Sequence, residues 1–167
     1  HDDKEHWRPQ VINFARNFID QGLIGRAVTR DMDWGIPVPV DDGTFDGKVL
    51  YVWFEAVIGY LSASIEWAAN NDKAEAWRNW WQTPDARTLY FIGKDNVPFH
   101  TVFWPAQLLG SGGLYSDDPA AHLNLPYDVP ANEFMNMEGQ KISGSRNWGV
   151  WMLDALDRYD PDPLRYY

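Results

Sequence analysis

The stretch that most restricts the fold of this chain is a short aromatic run that ends at a glycine and leads into a helical pattern. Residues 88–92 are apolar and aromatic, which predicts a buried strand. Gly93 interrupts the run, and apolar residues then recur at near-helical spacing from Val97 to Gly110. The sequence therefore predicts a strand, a glycine turn and a helix in succession.

The turn carries residue types that suit ligand binding. In an open α/β sheet, ligands bind beyond the carboxyl ends of strands, where a helix N-terminus offers unpaired N–H groups. Gly93 lets a ligand approach the backbone, Asp95 can accept hydrogen bonds from ribose hydroxyls, and His100 lies about one turn into the helix. Glycine and aspartate alone are a weak signal. A capped helix with a buried histidine is the alternative explanation.

Length, composition and charge limit the class of protein. The chain has 167 residues, 45% of them hydrophobic and 23% charged, which is typical of one globular domain. A net charge of −10 argues against nucleic-acid binding through the overall field of this segment. There is no cysteine, so disulfides and thiolate metal sites are excluded. Because no apolar run is long enough for a membrane span and no signal peptide opens the chain, we expect a cytoplasmic protein with no membrane partner.

The rest of the chain continues the alternation of strands and helices. Two prolines and a glycine between residues 29 and 39 predict an extended connector. The other predicted elements are a helix from His6 to about residue 21, a strand over 48–54, a helix over 55–69, a strand over 129–137 and a helix over 148–159. Between the last two lies a flexible, basic, hydroxyl-bearing loop, Lys141 to Arg146. This order implies a parallel sheet with helices on its faces.

Four short blocks of sequence follow one another in a fixed order along the chain. They are residues 33–39 (DWGIPVP), 51–60 (YVWFEAVIGY), 91–95 (FIGKD) and 164–167 (LRYY). In amino-acid sequence and in order they resemble class I aminoacyl-tRNA synthetases, most closely the methionyl-tRNA synthetases. The resemblance runs from about Arg30 to the last residue. Any single block would be a weak signal, whereas the series is specific. The resemblance implies an α/β chain that forms half of a Rossmann-like parallel sheet with flanking helices.

The same resemblance implies an activity and assigns residues to it. The enzyme would be a methionine–tRNA ligase, which uses ATP with Mg²⁺ to convert methionine to methionyl-adenylate and transfers it to tRNA(Met). The implied methionine pocket consists of Trp53, Ala56, Tyr60, Asn96 and His100. The implied ATP contacts are Gly93, Asp95 and Lys141. The family's mobile KMSKS loop would be residues 141–145, with Lys141, Ser143 and Ser145 as catalytic residues. No bound metal is implied for this segment.

Several features depart from the family pattern. Val57 stands where many relatives have proline, and Asn96 where some have an aliphatic pocket residue. Gly144 replaces the second lysine of the loop, and Arg146 is the candidate to compensate. Neither a HIGH-like motif nor the cysteine knuckles of the family's zinc region is present, and the family places both upstream.

We therefore expect a fragment with two parts. Residues 1–28 would lead back from an upstream inserted domain, and residues 29–167 would form the second half of the catalytic nucleotide-binding domain. The isolated fragment should be inactive, because the half with the HIGH motif is missing. A lone half-sheet exposes an edge strand and an apolar face, so the fragment should associate with itself or with the missing half.

Two other interpretations remain open at this point. One is a catalytically inactive, synthetase-like binding or regulatory protein whose loop has changed at Gly144. The other is a sugar-binding module, which would account for the ten tryptophans. A sugar-binding module requires exposed, coplanar aromatic rings. The synthetase interpretation predicts instead that Trp53 and Trp104 are mostly buried.

Overall fold

The computed structural model describes residues 3–118 and 122–166, which belong to two compact units, His1–Asn132 and Glu133–Tyr167. Part of the loop after Ser111 and the last residue of the closing sequence block, Tyr167, lie outside the described residues. No helix within the described ranges has both the length and the apolar character that a membrane crossing requires.

The first unit combines helices with short strands. Its helices are α1 (Pro9–Asp20), α2 (Val52–Glu55), α3 (Gly59–Asn70), α4 (Arg78–Trp81), α5 (Trp104–Gly110) and α6 (Gly112–Tyr115). Two 3-10 turns (Ala56–Ile58 and Lys94–Asn96) and one π-helical turn (Phe99–Phe103) connect them. Its strands are β1 (Thr29–Asp31), β2 (Lys48–Leu50), β3 (Ile92–Gly93) and β4 (Ala131–Asn132).

Strand β2 is flanked on both sides. It pairs antiparallel with β1, and the extended connector runs along it with a hydrogen bond of 2.7 Å from Leu50 N–H to the Ile36 carbonyl. Gly35 makes this close approach possible. Its φ is +149°, and a Cβ at this position would lie 2.9 Å from the side chain of Val49. The connector therefore requires glycine at position 35.

The predicted strand over residues 48–54 is wrong after Leu50. The Tyr51 N–H donates to the Val28 carbonyl at 2.8 Å, and the Tyr51 carbonyl then accepts from the Phe54 N–H at 2.8 Å. Tyr51 is thus the N-cap residue of α2, and Trp53 is helical. Aromatic and β-branched residues favour strands only weakly, and tertiary hydrogen bonds override that preference here.

The central strand is parallel to its neighbour, as predicted, but it is buried on one face only. Tyr90 N–H donates to the Asp128 carbonyl at 3.0 Å, and Ile92 N–H donates to the Pro130 carbonyl at 3.1 Å. Tyr90 is buried, whereas Phe91 is 76% exposed. The prediction of a buried strand is therefore wrong for one of its two faces, because successive side chains of a strand point to opposite sides of the sheet. Among the described residues, β3 and β4 are the only named strands that pair in parallel.

The core of the first unit is rich in tryptophan. Trp7, just before α1, and Val11, in its first turn, pack into the same buried cluster as Trp77, Trp81 and Trp104. Two of these rings are held by hydrogen bonds: Trp104 Nε1 donates to Tyr90 Oη at 2.8 Å, and Trp81 Nε1 donates to Ser64 Oγ at 2.9 Å. Four of the ten tryptophans, Trp7, Trp77, Trp81 and Trp104, thus contribute to this core.

The second unit is a hairpin followed by two short helices. Strands β5 (Asn136–Met137) and β6 (Gln140–Lys141) pair antiparallel around Gly139, and α7 (Met152–Leu156) and α8 (Pro161–Tyr166) follow. The continuous strand predicted over 129–137 is wrong, because it is interrupted between β4 and β5. The helix predicted over 148–159 is shorter than expected.

Candidate functional site

Two strand-to-helix corners of the first unit enclose a cavity of about 370 Å³. One corner leads from β2 into α2 and α3, and the other leads from β3 through Gly93 into the π-helical turn. The cavity is lined by Trp53, Ala56, Val57, Tyr60, Phe91, Ile92, Gly93, Asn96, Phe99 and His100. The five side chains that the sequence assigned to a substrate pocket all belong to this lining, although their role there stays a prediction.

The wall of the cavity is largely aromatic. The rings of Trp53 and Phe99, one from each corner, lie 5.4 Å apart. Tyr60 adds a third ring and contacts Tyr90 edge-on at 5.1 Å. Such a lining offers apolar contacts with a few polar atoms among them, which is typical of small-molecule sites.

The prediction that Trp53 is mostly buried is wrong. It is 49% exposed, because α2 turns its ring toward the open cavity instead of the core. Trp104, the other ring of that prediction, is buried as expected, with 2% exposed. The exposed surface of Trp53 is therefore available for a ligand.

The polar end of the cavity is a hydrogen-bonded chain of three residues. Tyr60 Oη lies 2.9 Å from His100 Nε2, and His100 Nδ1 lies 3.0 Å from the backbone carbonyl of Asn96. His100 is buried, and this burial lowers its pKa. The charged imidazolium is thus disfavoured, and His100 is a neutral hydrogen-bonding group at pH 7.

Gly93 and Asp95 are coupled by close packing. A Cβ on Gly93 would lie 2.8 Å from Asp95 Oδ1, so any other residue there would displace the carboxylate. Gly93 lines the cavity, whereas Asp95 is exposed beside it in the 3-10 turn. The two residues that the sequence proposed as ribose contacts are therefore neighbours in space, and their role stays a prediction.

The predicted phosphate loop belongs to the second unit and forms a closed turn. Ser143 and Trp148 exchange backbone hydrogen bonds of 2.9 and 3.0 Å. Within the turn, Ser143 Oγ lies 3.2 Å from Ser145 Oγ, and Arg146 Nη2 donates to the Lys141 carbonyl at 3.1 Å. Lys141 is exposed, with Nζ 5.6 Å from the ring of Phe134. The loop thus groups two cationic side chains and two hydroxyls.

Sequence reasoning did not assign four of the lining residues to the pocket. These residues lie next to predicted positions and are Val57, Phe91, Ile92 and Phe99. The signal that would have identified Phe99 is its place in the same helical turn as Asn96 and His100. Within the described ranges, no group of three or more acidic or histidine side chains is arranged to hold a metal ion.

Comparison with known proteins identifies the class to which this fold and site belong. The family model described as tRNA synthetases class I (M) matches residues 1–167. The chain therefore belongs to this family of class I tRNA synthetases.

Individual relatives of the chain are methionine–tRNA ligases. The chain is 58% identical over 162 residues to a methionine–tRNA ligase of Thermomicrobium roseum, covering 97% of the chain and 26% of that protein. It is 51% identical over 168 residues to the methionine–tRNA ligase of Thermococcus kodakarensis, covering 99% of the chain and 23% of that protein. The chain thus spans about a quarter of the length of these relatives.

A solved structure gives the same result for the fold. The chain matches Mycobacterium tuberculosis methionyl-tRNA synthetase in complex with methionyl-adenylate, with a TM-score of 0.71 and 29% identity. The match covers 96% of this chain and 28% of that one. The predicted fold class, a fragment of the α/β core of a class I synthetase, is thereby confirmed.

Proposed function

We propose that the chain is part of a methionine–tRNA ligase and supplies the methionine side-chain pocket of that enzyme. The observation that carries this proposal is the cavity between the two corners, with aromatic walls and one polar end at Tyr60 and His100. A thioether packs favourably against aromatic rings, by about 0.3–1.5 kcal/mol per contact. The methionine specificity of the named relatives supports the same assignment.

We further propose that ATP, as its Mg²⁺ complex, is the second substrate. Gly93 and Asp95 would contact the ribose, since a carboxylate beside an open backbone accepts hydrogen bonds from hydroxyl groups. Lys141, Ser143 and Ser145 would hold the phosphates of ATP in the intact enzyme, with Arg146 in place of the lysine that Gly144 replaces. The M. tuberculosis synthetase in complex with methionyl-adenylate supports an adenylate intermediate.

The proposed reaction needs little covalent chemistry from the protein. The methionine carboxylate attacks the α-phosphate of ATP, which gives methionyl-adenylate and releases pyrophosphate. The methionyl group then passes to tRNA(Met), and AMP leaves. Catalysis of the first step rests on positioning the two substrates and on stabilising the charge that develops on the phosphates. No protein nucleophile is required, and the cations of loop 141–146 would supply the charge stabilisation.

The place of this chain in the whole enzyme is also a proposal. Residues 1–28 would return from an inserted domain, and residues 29–167 would form the second half of the nucleotide-binding domain in a cytoplasmic enzyme. The length of the relatives, about four times that of the chain, supports this division of labour. A chain expressed without the rest of the enzyme should self-associate and show little methionine activation.

The assay that tests the proposal is methionine-dependent exchange between ATP and pyrophosphate by the intact enzyme. Lys141→Ala should lower the rate of adenylate formation more than it weakens methionine binding, because the lysine acts on the phosphates. Lys73→Ala is the matched control, since Lys73 is also exposed and lies near an aromatic ring, Trp67, outside the cavity lining.

Two outcomes separate the competing interpretations. Exchange that falls in Lys141→Ala and persists in Lys73→Ala supports the ligase. No exchange by the intact protein would favour the second candidate, a synthetase-like binding protein, for which the replacement of a loop lysine by Gly144 is the supporting observation.

A further inference from the structure

The two corners that enclose the cavity are joined by a side chain that does not line it. Gln107 lies in α5, the helix that follows the π-helical turn, and its Nε2 donates to the backbone carbonyl of Phe54 in α2 at 2.7 Å. Because a carbonyl oxygen only accepts hydrogen bonds, the amide nitrogen of Gln107 must face Phe54. The bond therefore connects a helix of one corner to a helix of the other.

The Phe54 carbonyl lies where the backbone needs a donor from outside its own helix. The last carbonyls of an α-helix have no partner within that helix. Helix α2 has only four residues, and it gives way to the 3-10 turn at Ala56. Gln107 supplies a donor to a carbonyl of this short helix, so it holds the end of α2 at a fixed place beside α5.

This bond acts on two aromatic walls of the cavity through their neighbours. Trp53 comes directly before Phe54 in α2. On the other side, the Phe99 ring lies 5.5 Å from the Phe103 ring, and Gln107 follows Phe103 by four residues, which is about one helical turn. The hydrogen bond thus holds the rings of Trp53 and Phe99 at their separation of 5.4 Å.

The other atom of the same amide shows that stability alone does not explain a glutamine here. Gln107 Oε1 is buried and has no hydrogen-bond partner among the described residues. A buried acceptor without a donor lowers the stability of the folded chain. An unbranched apolar side chain such as methionine would avoid that cost, but it could not donate to the Phe54 carbonyl.

We propose that Gln107 is a positioning residue that limits the length of the side chain the cavity accepts. This inference rests on the proposed function, because the side chain concerned is that of methionine. While the bond is in place, α2 and the π-helical turn hold the aromatic walls at one spacing, and a longer side chain collides with them. Without the bond, α2 can move away from α5, and the cavity accepts a longer side chain.

The test compares methionine with ethionine, whose side chain is one methylene longer, in the intact synthetase. The kcat/KM of ATP–pyrophosphate exchange is measured with each amino acid. The wild-type enzyme should prefer methionine by about tenfold or more, the usual discrimination for one methylene in an apolar pocket. Gln107→Met removes the donor and should reduce this preference by about fivefold. The change should appear chiefly as a lower KM for ethionine, because Gln107 does not act on the reacting groups.

The matched control is Gln82→Met. Gln82 Nε2 donates to the Tyr115 carbonyl of α6 at 3.4 Å, and Gln82 does not line the cavity. Its replacement removes the same kind of bond elsewhere in the first unit and should leave the preference for methionine unchanged. Should Gln107→Met fail to fold, Gln107→Asn keeps the amide but is too short to reach Phe54, and it should show the same reduced preference.

The outcomes distinguish this inference from the proposed function. An unchanged preference in a folded Gln107 variant, or an equal reduction in Gln82→Met, would overturn the inference while methionine exchange still supports the ligase. The inference would also be overturned if the wild-type enzyme used the two amino acids equally, or if neither Gln107 variant folded, which would show a purely structural role. Absence of methionine exchange in the wild type would refute the proposed function and this inference with it.

Discussion

The removal of the Trp53 ring should weaken methionine binding and leave the fold intact. A tryptophan side chain buries about 150–250 Å² when fully covered. Because Trp53 is 49% exposed, roughly 100 Å² of its surface is free for a ligand, and at about 25 cal/mol per Å² full coverage is worth about 2.5 kcal/mol. A methionine side chain covers about half of that area, and its sulfur–aromatic contact adds about 0.3–1.5 kcal/mol.

Trp53→Ala should therefore raise the dissociation constant of methionine by about thirtyfold, which corresponds to about 2 kcal/mol. The affinity for ATP should change much less. Both are measured by equilibrium binding to the intact synthetase, for example by calorimetry.

The matched control is Trp67→Ala. Trp67 is also about half-exposed, at 43%, but it contacts Trp80 and does not line the cavity. Its removal should leave methionine affinity unchanged. If methionine binding weakens equally in the two variants, or does not weaken in Trp53→Ala, the Trp53 ring does not contact methionine as proposed.

Three further predictions follow from the described contacts. Gly144→Lys should be accommodated, because the nearest atom to a Cβ there is on Trp151 at 3.9 Å. It should accelerate adenylate formation in stopped-flow assays, because it would add a third cation to the Lys141 and Arg146 proposed to bind the phosphates; a slower rate would contradict this. Tyr90→Phe should lower the free energy of unfolding by about 1–3 kcal/mol, measured by urea denaturation, since it leaves the buried Trp104 N–H without its acceptor. Burial lowers the pKa of His100 below its ordinary value of 6.5, so on acidification the unfolded chain binds a proton at a higher pH than the folded one. The stability that comes from burying the neutral His100 ring is therefore complete above pH 6.5 and is lost as the pH falls toward the folded-state pKa. Urea denaturation across that pH range should show the loss in the wild type and not in His100→Gln.

The local order of the central segment could be predicted from the sequence because its signals are local. Gly93 ends an apolar run, and the helical spacing that follows places Asn96 and His100 within one turn of each other. The series of sequence blocks then fixed the family, which the comparisons confirm.

The partners of these residues depend on contacts between distant parts of the chain. Tyr60 and His100 are 40 positions apart, and no pattern in either segment specifies their hydrogen bond. The end of β2 depends on the donation from Tyr51 to Val28, which strand propensity does not anticipate. The half-exposed state of Trp53 likewise depends on the cavity that two separate corners form. The residue type alone does not predict it, because tryptophan is common both in hydrophobic cores and in the lining of binding sites.

The central claim is that the cavity between the two corners binds the side chain of methionine. A methionine analogue whose side chain carries a photoreactive diazirine tests this directly in the intact synthetase. After irradiation, mass spectrometry of the digested protein locates the adducts. Adducts are expected within residues 53–60 and 91–100, and they should disappear when excess methionine competes. Adducts confined to other segments and removed by methionine would show that the methionine site lies elsewhere.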